Sequence, residues 1–438
     1  MKFKGHNRLN YYKLLRNRDF MSSEELLEIQ WNKLKLLINH CYDNIPYYTK
    51  LFKDNGIHPS DIKNLNDYKN IPLLQKQNIR DNHKELLNPQ IPKSEFTTSA
   101  TGGSTGIPLT IYKSREDREY GFALRYRSNA WCGWYYGDRS AWIVSDVRRL
   151  TETESLKGRL GCWINRKLVL NTRNTNRQAM ANWAKQIIAY KPEQIYGYAT
   201  ILAKFSQFLL ENNIYITGVK GVFSTAEVLR ERELISSGFN APVYNQYGAS
   251  EIPCIAHECP QGNMHINIDE VLVEYIDMKE NTEVKKIICT PLYMHGMPLL
   301  RYELGDCVIP VEKHCSCGLP YPVLEIKASR MSDNILSPAG KLVPTINFGT
   351  HIVYLTKGIK QIQLIQETLT DFTVKIVCEE SARQENEKQI IFIIEQMLGT
   401  PASELNIKFE YQPYIPNCES GKFRPVISKV IENQNKSV

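Results

Sequence analysis

The spacing of apolar residues divides the chain into three stretches of different grammar. Near the start, Leu27, Trp31, Leu34 and Ile38 recur at helical spacing behind Ser22 and Glu25, a capping-box pair. This predicts an amphipathic helix packed on the main body and broken by the run Ile45, Pro46, Tyr47, Tyr48. From about Ala141 to Gln246, β-like runs at 141–144, 194–196, 219–223 and 243–246 alternate with helical patterns over 177–190, 200–210 and 227–236. Pro192 and Gly238 stand near the expected helix ends, as breakers. The alternation predicts an α/β core with a largely parallel sheet. Beyond about Arg330 the pattern changes. Residues 361–366 and 372–377 alternate as strands, 388–398 reads as a helix stopping at Gly399, and Leu405, Ile407, Phe409 and Tyr411 alternate with polar neighbours. That β-β-α-β order predicts a small α+β domain. The expected division is 1–330 and 331–438.

Composition narrows the class without naming it. The chain has 438 residues, long enough for a large domain and a small one. Its net charge of +7 is dispersed, with no basic stripe interleaved with aromatics, so nucleic acid is not an expected partner. An enzyme handling anionic substrates explains the balance. The first residues lack a secretory pattern, and no apolar run is long enough to span a bilayer. Eleven scattered cysteines read as reduced thiols, some of them candidate metal ligands. The expectation is a cytoplasmic protein with no membrane span.

Several segments carry residue types suited to nucleotide chemistry. TTSATGGSTGIP at 97–108 packs hydroxyls and glycines that let successive N–H groups curl around a polyphosphate. A polar surface loop would have the same composition, and no Lys follows Gly106, so this is not a Walker A loop. In YNQYGASE at 244–251, a β-run ends in Tyr-Gly and a carboxylate follows. At the carboxyl edge of a parallel sheet, Tyr247 would stack on a purine and Glu251 would hold Mg²⁺ through oxygen. The run PLLRYELGD ends at Gly305–Asp306, where a strand is expected to stop and display a carboxylate to a ribose. Arg330 lies at the change of grammar, and Gly421 projects Lys422 from the small domain as a point charge for a phosphate.

Singly these signals are weak, but their order is specific. The sequence resembles the adenylate-forming superfamily, and within it the phenylacetate–CoA ligase family with its capsular-polysaccharide-biosynthesis branch. The resemblance runs from HCYDNIPYYTKLF and IPLLQKQNIR through TTSATGGSTGIPL, VYNQYGASE and PLLRYELGD to SGKFRPVISKV, nearly the whole chain. It implies a large α/β N-terminal domain with mixed and parallel sheets and a small, mobile α+β C-terminal domain. It also implies ATP- and Mg²⁺-dependent activation of a small-molecule or glycan-linked carboxylic acid as an acyl adenylate. The acceptor would be CoA, an amine or a sugar, and a homodimer is compatible with it. Ser99, Thr101, Gly102, Gly103, Ser104, Thr105 and Gly106 would hold the β- and γ-phosphates of ATP. Tyr247 and Gly248 would border adenine, with Ala226 and Glu227 on its other side. Asp306 and Arg330 would grip the ribose, Glu251 would hold Mg²⁺, and Lys422 would reach the α-phosphate and the acid. Tyr196, Gly197 and Tyr198, with the 131–136 stretch, are the candidate acid pocket. One departure stands out: relatives often carry Gly-Arg-x-Asp-Asp at the hinge, where this chain has Ser329, Arg330, Met331, Ser332 and Asp333. Ser332 replaces the first acid, which bears on whether the small domain rotates about this pivot.

Two rival functions use the same motifs. One is a transferase that joins AMP or an acyl group to a sugar or cofactor without CoA. The other is a non-catalytic nucleotide-binding partner of polysaccharide assembly.

The segments IAHECPQGNMH and KHCSCGLPYP add soft ligands on two separate stretches. Cys315 and Cys317 are spaced more tightly than in the usual zinc knuckle, so by spacing alone buried reduced cysteines beside surface histidines are the favoured reading. Members of the resembled family carry a C…H…C-x-C structural zinc here, which implies Cys259, His265, Cys315 and Cys317 as ligands, with His257 and Cys254 in reserve.

Overall fold

The computed structural model describes residues 7–100, 109–144, 155–172, 176–277, 285–311, 313–325, 335–340, 342–343, 358–416 and 424–434. The predicted N-terminal helix is Ser23–Asn44, and its capping box closes: the Glu25 amide donates to Ser22 Oγ at 3.2 Å and the Ser22 amide to Glu25 Oε2 at 2.7 Å. Its buried face is Leu26, Gln30, Leu34, Leu37, Ile38 and Cys41, so the predicted stripe is turned, and Leu27 faces solvent. The polar Gln30 hides this register in the sequence, because its Nε2 is satisfied indoors by the Ile268 carbonyl at 2.6 Å. The helix ends at Asn44, and Pro46 opens the next helix, Pro46–Asp54, where its missing N–H costs nothing.

Strands β1 (Thr97–Ala100) and β2 (Thr110–Lys113) pair antiparallel and flank residues 101–108. The helix Arg115–Trp131 follows, and then the predicted alternation: β3 (Ser140–Val144), β4 (Lys167–Asn171), β5 (Gln194–Tyr198), β6 (Gly221–Thr225) and β7 (Val243–Tyr247). These five lie parallel in the order β4-β3-β5-β6-β7, and β8 (Ala256–Glu258) and β9 (Met264–Ile266) extend the sheet antiparallel. Because side chains alternate across a strand, the two faces differ. Ile143, Ile195, Val222 and Val243 pack under the helices Arg177–Tyr190, Ala199–Glu211 and Arg232–Phe239. Trp142, Tyr196, Phe223 and Tyr244 form an aromatic layer on the opposite face with Tyr126 and Trp134.

Two details correct the sequence reading. The helix expected at 227–236 is Arg232–Phe239, and Gly238 lies inside it rather than ending it. A Cβ at Gly238 would fall 2.4 Å from that of Ser206, so this glycine allows two helices to touch. Asn240, in the left-handed region at φ 48°, makes the actual stop.

A three-stranded antiparallel sheet, β10 (Val271–Asp277), β11 (Lys285–Pro291) and β12 (Tyr302–Val308), packs in the core built by the N-terminal helices. Beyond residue 334 come β13 (Ile335–Leu336), β14 (Leu342–Val343), β15 (Ile359–Gln366), β16 (Asp371–Cys378), the helix Arg383–Leu398, β17 (Asn406–Tyr411) and β18 (Val426–Ser428). The order β17-β16-β15-β18 with the helix Arg383–Leu398 is the small α+β arrangement expected, a short helix Lys429–Gln434 follows β18, and the core of Ile335, Leu364, Phe372, Val374, Ile390 and Val426 is its own. Gly399 stops the helix at φ 63° as predicted. The division expected at residue 330 falls in 326–334, outside the described residues. No described helix is long and apolar enough to cross a membrane.

Candidate active site

Three sheets meet beside Glu251. Strand β7 ends at Tyr247, and the chain folds back at once: the Ala249 amide donates to the Ile252 carbonyl at 2.9 Å and the Ile255 amide to the Tyr247 carbonyl at 3.0 Å. Gly248 is required by this close approach, since a Cβ there would lie 2.4 Å from the Pro253 carbonyl oxygen. The turn buries Glu251, whose Oε1 accepts from the Tyr302 hydroxyl of β12 at 2.8 Å. One residue earlier, the Ser250 carbonyl accepts from Lys113 Nζ at the end of β2, at 2.6 Å. Burial pushes the Lys113 ammonium down to about 8, with Glu251 pulling the other way.

A second bond joins the same sheets. The Tyr247 hydroxyl donates to Asp306 Oδ2 at 2.9 Å, which places the expected adenine wall and ribose acceptor side by side. Asp306 does not stand at a strand end as the sequence suggested, because β12 runs on to Val308. Gly305 takes φ 86° and the pairing with β11 shifts register here, so Gly-Asp marks a bulge that re-aims Asp306 within a continuing strand.

The end of β6 supplies the next group. Ala226 adopts φ 68°, uncommon for a residue with a Cβ. The Glu227 carboxylate that follows accepts from the Thr200 amide at 2.9 Å and the Thr200 hydroxyl at 2.7 Å, capping the helix that leaves β5. Glu227 therefore ties the ends of β5 and β6 together. Gly197 sits in β5 where a Cβ would meet the Ile143 carbonyl oxygen at 2.8 Å, and Tyr198 is the residue from which the Ala199–Glu211 helix starts. Tyr196 belongs to the aromatic layer, 4.4 Å ring to ring from Trp142. Within 131–136, Trp134 packs on Tyr126 in that layer, but Trp131 turns away to Tyr321 and His265.

Of the expected nucleotide residues, Thr101, Gly102, Gly103, Ser104, Thr105, Gly106, Arg330 and Lys422 lie outside the described residues. So does the hinge from Ser329 to Asp333, and Ser99 is described only as backbone in β1. Lys113 and Tyr302 were given no role by the sequence reading. Tyr302 stands inside the PLLRYELGD motif, and only its pairing with Glu251 separates it from an ordinary core tyrosine.

The four soft ligands come together. Cys259, His265, Cys315 and Cys317 place their donor atoms within 4.8 Å of one another. Cys259 Sγ lies 3.6 Å from Cys315 Sγ, and Cys317 Sγ lies 3.3 Å from His265 Nε2. A tetrahedral zinc with Zn–S of about 2.3 Å requires S···S separations of roughly 3.8 Å, so the set fits. The Tyr321 carbonyl accepts from His265 Nδ1 at 2.6 Å, which leaves Nε2 as the lone-pair nitrogen facing the thiols. Burial opposes it, but hydrogen bonds from the Cys317 backbone and side chain and from Asn263 hold the Cys315 thiol down to about 6. The reserves are excluded. His257 pairs with Asn129 Oδ1 at 3.0 Å and is pushed down to about 3 by burial, and Cys254 lies toward Gly121 and Arg125.

With this geometry in view, the likeness to known proteins is informative. The family model described as the CapK C-terminal domain matches residues 335–429. A crystal structure of 2-hydroxyisobutyryl-CoA ligase in the postadenylation state, in complex with 2-HIB-AMP, overlays with a TM-score of 0.74. It is 18% identical and covers 96% of this chain and 94% of that one. The same ligase in the thioesterification state overlays with a TM-score of 0.59. A phenylacetate-coenzyme A ligase of Thermus thermophilus is 25% identical over 337 residues, 74% of each chain. Over most of its length the chain is similar to adenylate-forming ligases of the phenylacetate–CoA ligase kind. Its likeness to Protein CapK of Staphylococcus aureus is 25% identity over 417 residues, covering 93% of this chain and 90% of that one.

Proposed function

We propose that this protein uses ATP and Mg²⁺ to activate a carboxylic acid as an acyl adenylate and then passes the acyl group to CoA or another acceptor. The observation that carries the proposal is the meeting of Tyr247, Asp306 and Glu251 at the carboxyl edge of the parallel sheet, where nucleotides bind in such folds. A carboxylate oxygen attacks the α-phosphorus, the bond to the bridging oxygen breaks, and pyrophosphate leaves. Mg²⁺, when bound, supplies charge neutralisation across the phosphates. The chain's own part is positioning and electrostatic complementarity. Asp306 and Arg330 would fix the ribose, Tyr247, Gly248, Ala226 and Glu227 would enclose the base, and Glu251 would be the carboxylate toward the metal. The 97–108 loop would hold the departing pyrophosphate and Lys422 the α-phosphate. Residues 331–438 would act as the mobile domain.

The name of Protein CapK supports a place in capsular polysaccharide synthesis, with a sugar-derived acid or acceptor. Pyrophosphate release from ATP, measured over a panel of carboxylic acids with and without CoA, tests the reading. Release that depends on one acid class is expected, with thioester forming when CoA is present. Release with product but no use of CoA would favour the transferase instead. No release with any acid or glycan would refute adenylation.

We also propose that Cys259, His265, Cys315 and Cys317 hold a structural zinc that ties the β8–β9 hairpin to the 313–325 segment. All four positions are protein ligands, so no open position remains for chemistry. Metal analysis of purified protein is expected to give about one zinc per chain, lost in Cys315→Ser. Fully folded, metal-free wild-type protein would refute this.

A further inference from the structure

Arg125 is a buried cation whose role the nucleotide site does not explain. It lies on the Arg115–Trp131 helix, is 9% exposed, and its Nε and Nη1 have no hydrogen-bond partner. Its guanidinium is enclosed by rings, 5.1 Å from the Tyr196 centroid, 5.7 Å from Trp142 and 5.9 Å from Phe122. Burial acts on it most strongly, followed by Tyr196, Cys254 and Tyr126; Cys254 also hydrogen-bonds to it, and none of the three is a carboxylate. Cys254 is three residues past Glu251, and Arg125 and Glu251 both act on Lys113, so this cation lies between the β5 aromatic layer and the Glu251 turn.

Cation–π contact alone offsets part of the cost of burying a guanidinium. It supplies no acceptor for the two unpaired donors, and a buried charge without one is expensive. An incoming anion would supply both. Tyr196 was already a candidate wall of the acid pocket, and the other walls there, Trp142 and Phe122, are apolar. A carboxylic acid entering from the carboxyl edge with its reacting end toward Glu251 would therefore send its far end toward Arg125.

We infer that Arg125 selects an acid bearing a second negatively charged group remote from the carboxylate that is activated, a dicarboxylic acid above all. This rests on the adenylation reading and narrows its substrate class. The pocket would discriminate as buried polar sites do: a neutral end group leaves the donors unpaired and is rejected, by a factor of about 100 or more. Arg125→Met keeps the volume and removes the charge, which reverses the preference.

The test pairs turnover with binding. Pyrophosphate release is measured with three- to six-carbon dicarboxylates, the matching monocarboxylates, phenylacetate and carboxylic acids carrying a phosphate, for wild type, Arg125→Met and Arg125→Lys. Thermal shifts by the same acids are measured alongside. The expected result is a dicarboxylate preference of about 100-fold or more in kcat/KM, reversed in Arg125→Met as monocarboxylate turnover rises, and partly kept in Arg125→Lys. Equal or better use of phosphate-bearing acids would assign the subsite to a second anion of that kind and supports the same inference. Preference for neutral acids that Arg125→Met does not alter overturns it and leaves adenylation standing. If no acid gives pyrophosphate, yet dicarboxylates stabilise wild type and not Arg125→Met, adenylation falls and the anion subsite stands. Without ligand, Arg125→Met should melt no lower than wild type. A large drop would show that the aromatic cage exists only to pack the arginine, and would overturn the inference.

Discussion

Glu251→Gln is expected to lower pyrophosphate release by about 10²–10³-fold, the usual worth of one preorganised electrostatic group in a transition state. The change is nearly isosteric and keeps an acceptor for the Tyr302 hydroxyl, so the turn after β7 should survive it. What it removes is the negative charge. Glutamine remains an oxygen donor but a weak one for Mg²⁺, so the variant should need more magnesium and recover part of its rate as magnesium is raised. Lys422→Ala should be comparably slow but should not respond to magnesium, because it removes a phosphate contact and no metal ligand. Both variants should still bind ATP, since many other groups would hold it. Steady-state pyrophosphate release as a function of magnesium, with melting temperature as a folding control, separates the two. A Glu251→Gln enzyme with wild-type rate and magnesium dependence would remove Glu251 from the metal site.

The alternation from Ala141 to Gln246 was legible because a buried parallel sheet requires short apolar strands separated by helices, and that requirement is local. The β-β-α-β order of the small domain was legible for the same reason, down to the stop at Gly399. Gly238 and Gly305 were misread because a glycine has several uses. At Gly238 the missing side chain admits Ser206 of another helix, and at Gly305 the positive φ makes a bulge instead of an end. Neither use leaves a trace in nearby residues. Leu27 was misread because Gln30, bonded to the Ile268 carbonyl, occupies the true buried stripe.

The candidate site was legible where motif order carries it. Tyr247, Glu251 and Asp306 lie 4 and 55 residues apart in sequence, yet the two hydroxyl–carboxylate bonds bring them to one sheet edge. The convergence of Cys259, His265, Cys315 and Cys317 was legible through the family resemblance, because spacing alone favoured buried reduced cysteines. Arg125 was invisible in sequence. Its run, LRYR, reads as an ordinary helix face, and only burial shows that one arginine keeps two donors unpaired while its neighbour two residues on gives both Nη groups to oxygen acceptors.

That neighbour carries the largest stability effect expected. Arg127 is fully buried and donates to Asp269 through Nη1 at 3.2 Å and Nη2 at 3.1 Å, to Asn267 Oδ1 at 2.8 Å, and to the Tyr321 hydroxyl. Arg18 Nη1 reaches the same Asp269 at 3.0 Å, and Glu270 collects Arg18, Lys33 and the Tyr120 hydroxyl. One carboxylate thus ties the helix Arg8–Arg18, the Arg115–Trp131 helix and the turn that leads into β10. Asp269→Asn would leave two buried guanidinium groups under-compensated, which costs about 3–5 kcal/mol and lowers Tm by about 5–10 °C. Burial opposes ionisation of Asp269, but Arg127 and then Arg18 and Lys33 hold its carboxyl below the usual value. A depressed carboxylate contributes its stability above the unfolded pKa and loses it as pH falls through the folded one. Wild type should therefore keep this contribution down to about pH 4, and the gap to Asp269→Asn should stay constant between about pH 5 and 8 and close only in acid. Urea unfolding at several pH values measures it. Adding Arg127→Met to Asp269→Asn should cost less than the sum of the two changes, because the second removes the charge the first stranded. The network also reaches the metal cluster, since Tyr321 donates to Asp19 at 3.0 Å through its hydroxyl while its carbonyl orients His265. Asp269→Asn should therefore release zinc at a lower temperature than wild type. Loss of metal at an unchanged temperature would mean that Tyr321 holds His265 without help from the buried charges.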